Sequence, residues 1–72
     1  MASDICVLLG ERIRELRKAR GWRQLDLAEQ AAIHENYVSD LETGGKEICL
    51  RTLQAVARAF QLTIAELMQD VG

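Results

Sequence analysis

Apolar residues recur at three- and four-residue spacing in five separate stretches, and nowhere do they alternate with a period of two. Val7 or Leu9, then Ile13, Leu16 and Ala19 line one side of a first helix over about 4–20, which Ser3 or Asp4 can cap. Gly21 supplies the positive φ that ends it, with Arg17, Lys18 and Arg20 in the last turn, where the helix dipole favours cations. Leu27, Ala28 and Ala31 mark a short second helix over about 24–31, with Asp26 in its first turn. Val38 and Leu41 share one face of a third helix that has His34 at its N-cap and stops at Gly44-Gly45. Leu50, Leu53, Val56, Ala57 and Phe60 define a fourth, and Ile64, Leu67 and Met68 a fifth, opened by a capping box from Thr63 to Glu66. The pattern predicts a single all-α domain of five short helices over residues 1–72.

Composition narrows the function classes. The chain has 72 residues, 49% of them hydrophobic and none proline, as expected of one small globular core. A domain near this size buries only about 60% of its unfolded surface, so a deep substrate pocket beside the core is not expected. With no paired carboxylates on one helical face, no activated nucleophile and no phosphate loop, the chain reads as a non-enzyme. The apolar run Ile5 to Leu9 falls far short of the roughly 20 residues that span a bilayer. The first ten residues lack the basic start and cleavage site of a secretory signal, so a cytoplasmic chain with Cys6 and Cys49 reduced is expected. Those cysteines stand 43 residues apart in a chain with one histidine, which lacks the close paired spacing of a zinc site. Neither a metal nor another cofactor is expected.

The net charge of −2 hides a division. Residues 11–23 carry Arg12, Arg14, Arg17, Lys18, Arg20 and Arg23 against Glu11 and Glu15, a local +4. Residues 24–47 carry six acidic groups against Lys46 alone, a local −5. A basic run this short is ordinarily a solvated helix face, and it can also be a phosphate-binding surface.

The second and third helices, about three residues apart with the latter polar and exposed, match a helix-turn-helix spanning about 24–43. Many helical bundles share that pattern. The ordered set Gly21-Trp22-Arg23-Gln24, Leu27-Ala28, Tyr37-Val38-Ser39-Asp40-Leu41-Glu42-Thr43-Gly44 and Leu53-Gln54-Ala55-Val56-Ala57-Arg58-Ala59-Phe60 is more specific. Over residues 9–69 the chain resembles the phage-repressor and Cro-like helix-turn-helix regulators. Through His34 to Ser39 and its small size it is also similar to the controller proteins of restriction-modification systems.

The resemblance implies a lambda-repressor-like, five-helix domain that binds a pseudo-palindromic duplex DNA operator as a homodimer and regulates transcription. It implies that Glu35, Asn36, Tyr37, Ser39 and Asp40 face base edges, where Asn can bond adenine and Glu can accept from cytosine. Phosphate contacts are expected of Arg23, Gln24, Thr43 and Lys46, Gln24 through its amide and the start of the second helix. Arg17 and Glu42 match positions that pair in such regulators. The dimer surface is expected at Phe60, Leu62, Leu67, Met68 and Val71, which offer more apolar area than so small a core can absorb. No membrane and no small-molecule effector is expected. The chain departs from the pattern at Arg23 for a hydroxyl cap, Ala32 for glycine, Cys49 for serine or proline, and Gln61 at another glycine-like position. The acidity of the third helix favours a rival reading, a protein-interaction module of the same fold such as an antitoxin or co-regulator.

Overall fold

The computed structural model describes residues 4–72, in five helices: α1 (Ile5–Ala19), α2 (Gln24–Ala31), α3 (Glu35–Glu42), α4 (Leu50–Ala59) and α5 (Ile64–Leu67). There is no strand among the described residues. The Asp4 carboxylate opens α1 by accepting from the Cys6 N–H at 2.7 Å, and Ser3, the alternative cap, lies outside the described residues.

The first four helices end in one way. After α1, Trp22 N–H bonds Arg17 C=O and Gly21 N–H bonds Lys18 C=O, with Gly21 at φ 68°. This is the Schellman arrangement, which satisfies carbonyls left over at a helix end. The same two bonds close α2 around Ala32, α3 around Gly44 and α4 around Gln61. Ala32 and Gln61 therefore hold left-handed φ values of 56° and 60° without being glycine.

The apolar faces converge as their spacing predicts. Leu9, Ile13, Leu27, Ala28, Ala31, Val38, Leu41, Val56, Ala57, Phe60 and Leu67 form one buried cluster. Each large side chain among them contributes about 1.5–3 kcal/mol by leaving water. α1 packs on α3, α2 on both α3 and α4, and α5 on α4. The Cα radius of gyration of 10.9 Å is close to the roughly 11 Å of a compact chain of this length. Gly10 sits where α1 crosses the end of α3, and a Cβ there would overlap the carbonyl oxygens of Leu41 and Glu42.

Two of the apolar residues expected at a dimer surface lie elsewhere. Phe60 is 1% and Leu67 0% exposed, because α5 is a four-residue plug whose one inward leucine completes the core. Trp22 stacks on Phe60 at 5.6 Å between centroids, covering it further. Leu62, Met68 and Val71 are half-buried against the same cluster. The large apolar side chains left most open are Leu50, at 73%, and Ile5, at 55%.

Candidate nucleic-acid interface

The orientation of α2 against α3 is set from α1. Arg17 Nε donates to Glu42 Oε2 at 2.6 Å and Nη2 to Oε1 at 3.0 Å, while Nη1 donates to the Trp22 carbonyl at 2.7 Å. Gln24 Nε2 donates to Glu42 Oε1 at 3.2 Å. The Glu42 carboxylate at the end of α3 thus ties α1 to the first residue of α2, and Arg17 extends the link to the turn after α1. Glu42 is the one buried charged residue among those described, and its carboxylate, held by two guanidinium bonds, raises Arg17 above the ordinary arginine value, against the opposing effect of burial.

The buried side of α3 is Val38, Leu41 and Glu42. Opposite lies a polar stripe of Glu35, Asn36, Ser39, Asp40 and Thr43, exposed or half-exposed and spaced three or four apart. Tyr37 is half-buried against the core cluster. His34 caps the helix through Nδ1, which accepts from the Asn36 N–H at 3.0 Å, and this positions the stripe's first turn.

Charge at this face is more balanced than in the sequence. Lys46 Nζ comes back from the loop to within 3.3 Å of Asp40 Oδ2 and 5.8 Å of the centre of the Tyr37 ring. Thr43 Oγ1 donates to the Asp40 carbonyl at 3.0 Å. Arg23 grips Asp26 with Nε at 3.2 Å and Nη2 at 3.0 Å, and its backbone N–H donates to the same carboxylate at 2.7 Å. Asp26 therefore satisfies the N–H of the N-cap residue, the half of a capping box that needs no hydroxyl at position 23, and the Arg23 guanidinium holds its carboxyl below the usual aspartate range. With Glu42, Asp40 and Asp26 paired, Glu35 is the acidic group on the stripe without an ion-pair partner among the described residues.

The basic run is not one surface. Arg12 donates to the Glu66 and Leu67 carbonyls at the end of α5, and Arg20 to the Phe60 carbonyl after α4 at 2.6 Å, its guanidinium 4.8 Å from the Phe60 ring centre. Both act as cations at helix C-termini. Nothing in the local sequence points to this, since the carbonyls reached lie 40 or more residues away. Arg14 and Lys18 remain as its exposed cations with neither an ion-pair partner nor a carbonyl partner of this kind among the described residues.

Among the described residues no cluster of His, Cys, Asp and Glu is placed to hold a metal, and no helix is long and apolar enough to cross a membrane.

The family model for helix-turn-helix domains matches residues 13–67. The chain belongs to the helix-turn-helix family. This helix-turn-helix chain is 44% identical over 63 residues to the transcriptional regulator DdrOP3 of Deinococcus deserti, covering 88% of the chain but 49% of that protein. It is 26% identical to the control protein C.BamHI of Bacillus amyloliquefaciens over 94% of the chain and 85% of that protein. In structure it is similar to the restriction-modification controller C.AhdI of Aeromonas hydrophila, with TM-score 0.83 and 34% identity over 86% of this chain and 94% of the other. The helix-turn-helix chain spans about half the length of the first curated relatives it matches, 49% in one and 43% in another.

Proposed function

We propose that this protein is a sequence-specific transcriptional regulator that binds duplex DNA in the cytoplasm as a homodimer and carries out no catalysis. The observation that carries the reading is the polar stripe of α3 held rigidly against α2 by Arg17, Glu42 and Gln24. A helix so presented fits the major groove, where the Asn36 amide can bond adenine N6 and N7 and Glu35 can accept from cytosine N4. Lys46, Arg23, Thr43 at the C-terminal end of the stripe and the start of α2 are the proposed partners of backbone phosphates. Family membership supports the reading, as do relatives named for transcriptional regulation. A role as a restriction-modification controller is supported by the near-full-length match to C.BamHI and C.AhdI.

Two copies reading half-sites about 34 Å apart make the operator pseudo-palindromic. Mobility-shift selection from random duplex DNA, followed by sequencing of the bound fraction, tests this. An enriched inverted repeat is expected. Asn36→Ala should then cost roughly 1–3 kcal/mol on the selected operator and little on unrelated DNA. Glu35→Ala should relax discrimination. Unpaired Glu35 on the stripe favours the second reading, an interaction module of the same fold, and no salt-dependent DNA affinity in the wild type would establish it over the first.

A further inference from the structure

His34 is the one histidine of the chain, and its place in the fold depends on its charge. At φ −74° and ψ 144° it holds the N-cap of α3, where Nδ1 accepts from the Asn36 N–H at 3.0 Å. Only a neutral imidazole with its proton on Nε2 has a lone pair at Nδ1 for that bond. The Tyr37 and Val38 N–H groups of the same turn go to the His34 carbonyl, at 3.0 and 3.2 Å. Asn36 thus carries the backbone donor that the ring satisfies.

The ring is exposed, so protons reach it from water. An imidazolium presents an N–H to the Asn36 N–H and puts a cation at the positive end of the helix dipole. The charged groups at this end of α3 are Glu35, next in the chain, and Arg23 and Glu29 of α2, since the charges of Glu29 and Glu35 both act on Arg23. Lys46 comes back from the loop over Tyr37, and α1 meets α3 at its far end, at Leu41 and Glu42. No carboxylate among the described residues forms an ion pair with His34. We propose that His34 is a positioning residue that makes base reading sensitive to protons. Neutral, it fixes the backbone of Asn36 and with it the amide assigned to adenine; protonated, it releases the first turn of α3. Acid then lowers the preference for the operator over other DNA, while the added positive charge leaves phosphate contacts no weaker. The inference rests on the DNA-binding reading above and adds a condition under which it holds.

Binding of the full chain to the selected operator and to a random duplex, compared between about pH 7.5 and 5.5, covers the interval in which imidazole changes charge. NMR follows the His34 ring and the Asn36 amide over the same interval, and circular dichroism confirms folding of each variant. The wild-type preference for the operator should fall about three- to tenfold, the effect of one lost N-cap, in step with the ring and with loss of exchange protection at the Asn36 amide. His34→Asn, whose side chain caps without titrating, should keep the neutral preference throughout, and His34→Ala should show the acid value at both ends. A preference that falls equally in His34→Asn, or that His34→Ala leaves intact, overturns the proposal. So does an Asn36 amide indifferent to the charge of the ring. A chain with no DNA affinity whose Asn36 amide still loosens as the ring charges supports the proton-sensitive cap while removing the regulatory reading, so the two fail separately.

Discussion

Backbone strain at single residues is where this chain departs most clearly from its own helix-ending rule. Gly21 and Gly44 take the left-handed position after α1 and α3, but Ala32 and Gln61 take it after α2 and α4. A Cβ in that region costs about 1–2 kcal/mol, against which glycine loses some backbone entropy on folding. Both side chains are exposed, so little packing is lost on removing them. Ala32→Gly and Gln61→Gly should each raise stability by roughly 0.5–1 kcal/mol in thermal melts, and near-additively, because they close different helices. A loss of stability in either would mean the residue is not left-handed in solution. The departures at 32 and 61 were visible in the sequence because the motif normally has glycine there. The opposite case is Gly10, whose lack of a Cβ admits the carbonyls of Leu41 and Glu42. Its requirement arises from a contact 31 or more residues away, and no local pattern announces it.

Between elements, the decisive contact is the Glu42 carboxylate shared by Arg17 and Gln24. With side-chain exposures of 11% for Arg17 and 3% for Glu42, the pair is screened far less than a surface bridge. Arg17→Met leaves Glu42 held by Gln24 alone and should cost about 3 kcal/mol, while Arg17→Met with Glu42→Leu should recover much of that loss. Additive single effects in that cycle, read by chemical denaturation, would show that the two groups act independently. Helix starts give a second test. Asp26 is held below the usual range first by the Arg23 guanidinium, and Glu66 first by the Thr63 backbone N–H, from which Glu66 Oε1 accepts at 2.8 Å. A lowered folded-state value means the stabilisation is complete above the ordinary carboxylate pKa and is lost as pH falls through the lowered one. Asp26→Asn and Glu66→Gln should therefore destabilise at neutral pH and converge on the wild type in acid. Helix number and approximate bounds were legible because the apolar spacing of each segment agrees with its caps. The fate of the basic run was not, since Arg12 and Arg20 find their carbonyl partners only once α4 and α5 have packed.

At the scale of the whole molecule, the proposed polyanionic ligand would meet a net charge of −2, and where the cations are held decides how strongly salt should act on binding. Arg12, Arg17, Arg20 and Arg23 are engaged within the chain, so the basic segment supplies few free charges, and the one cation flanking the α3 stripe by its own loop is Lys46. Affinity then depends more on helix starts and neutral donors than on counterion release. The dependence of log K on log salt should be shallow, with a slope of about −2 to −5 for a dimer, where each neutralised phosphate contributes about −0.9. Lys46 acts twice in this balance, as a phosphate partner and as the cover for Asp40, and the two roles separate by measurement. Lys46→Ala should weaken binding to all sequences and flatten the slope by about one per subunit. Asp40→Asn alone should tighten non-specific binding, since a negative charge leaves the groove-facing side. In the double variant the part of the Lys46→Ala loss that came from uncovering Asp40 should disappear, while the flattened slope persists. If the slope does not change on removing Lys46, the ammonium stays with Asp40 and Tyr37 in the complex, and phosphate neutralisation falls to the exposed Arg14, Lys18, Arg51 or Arg58.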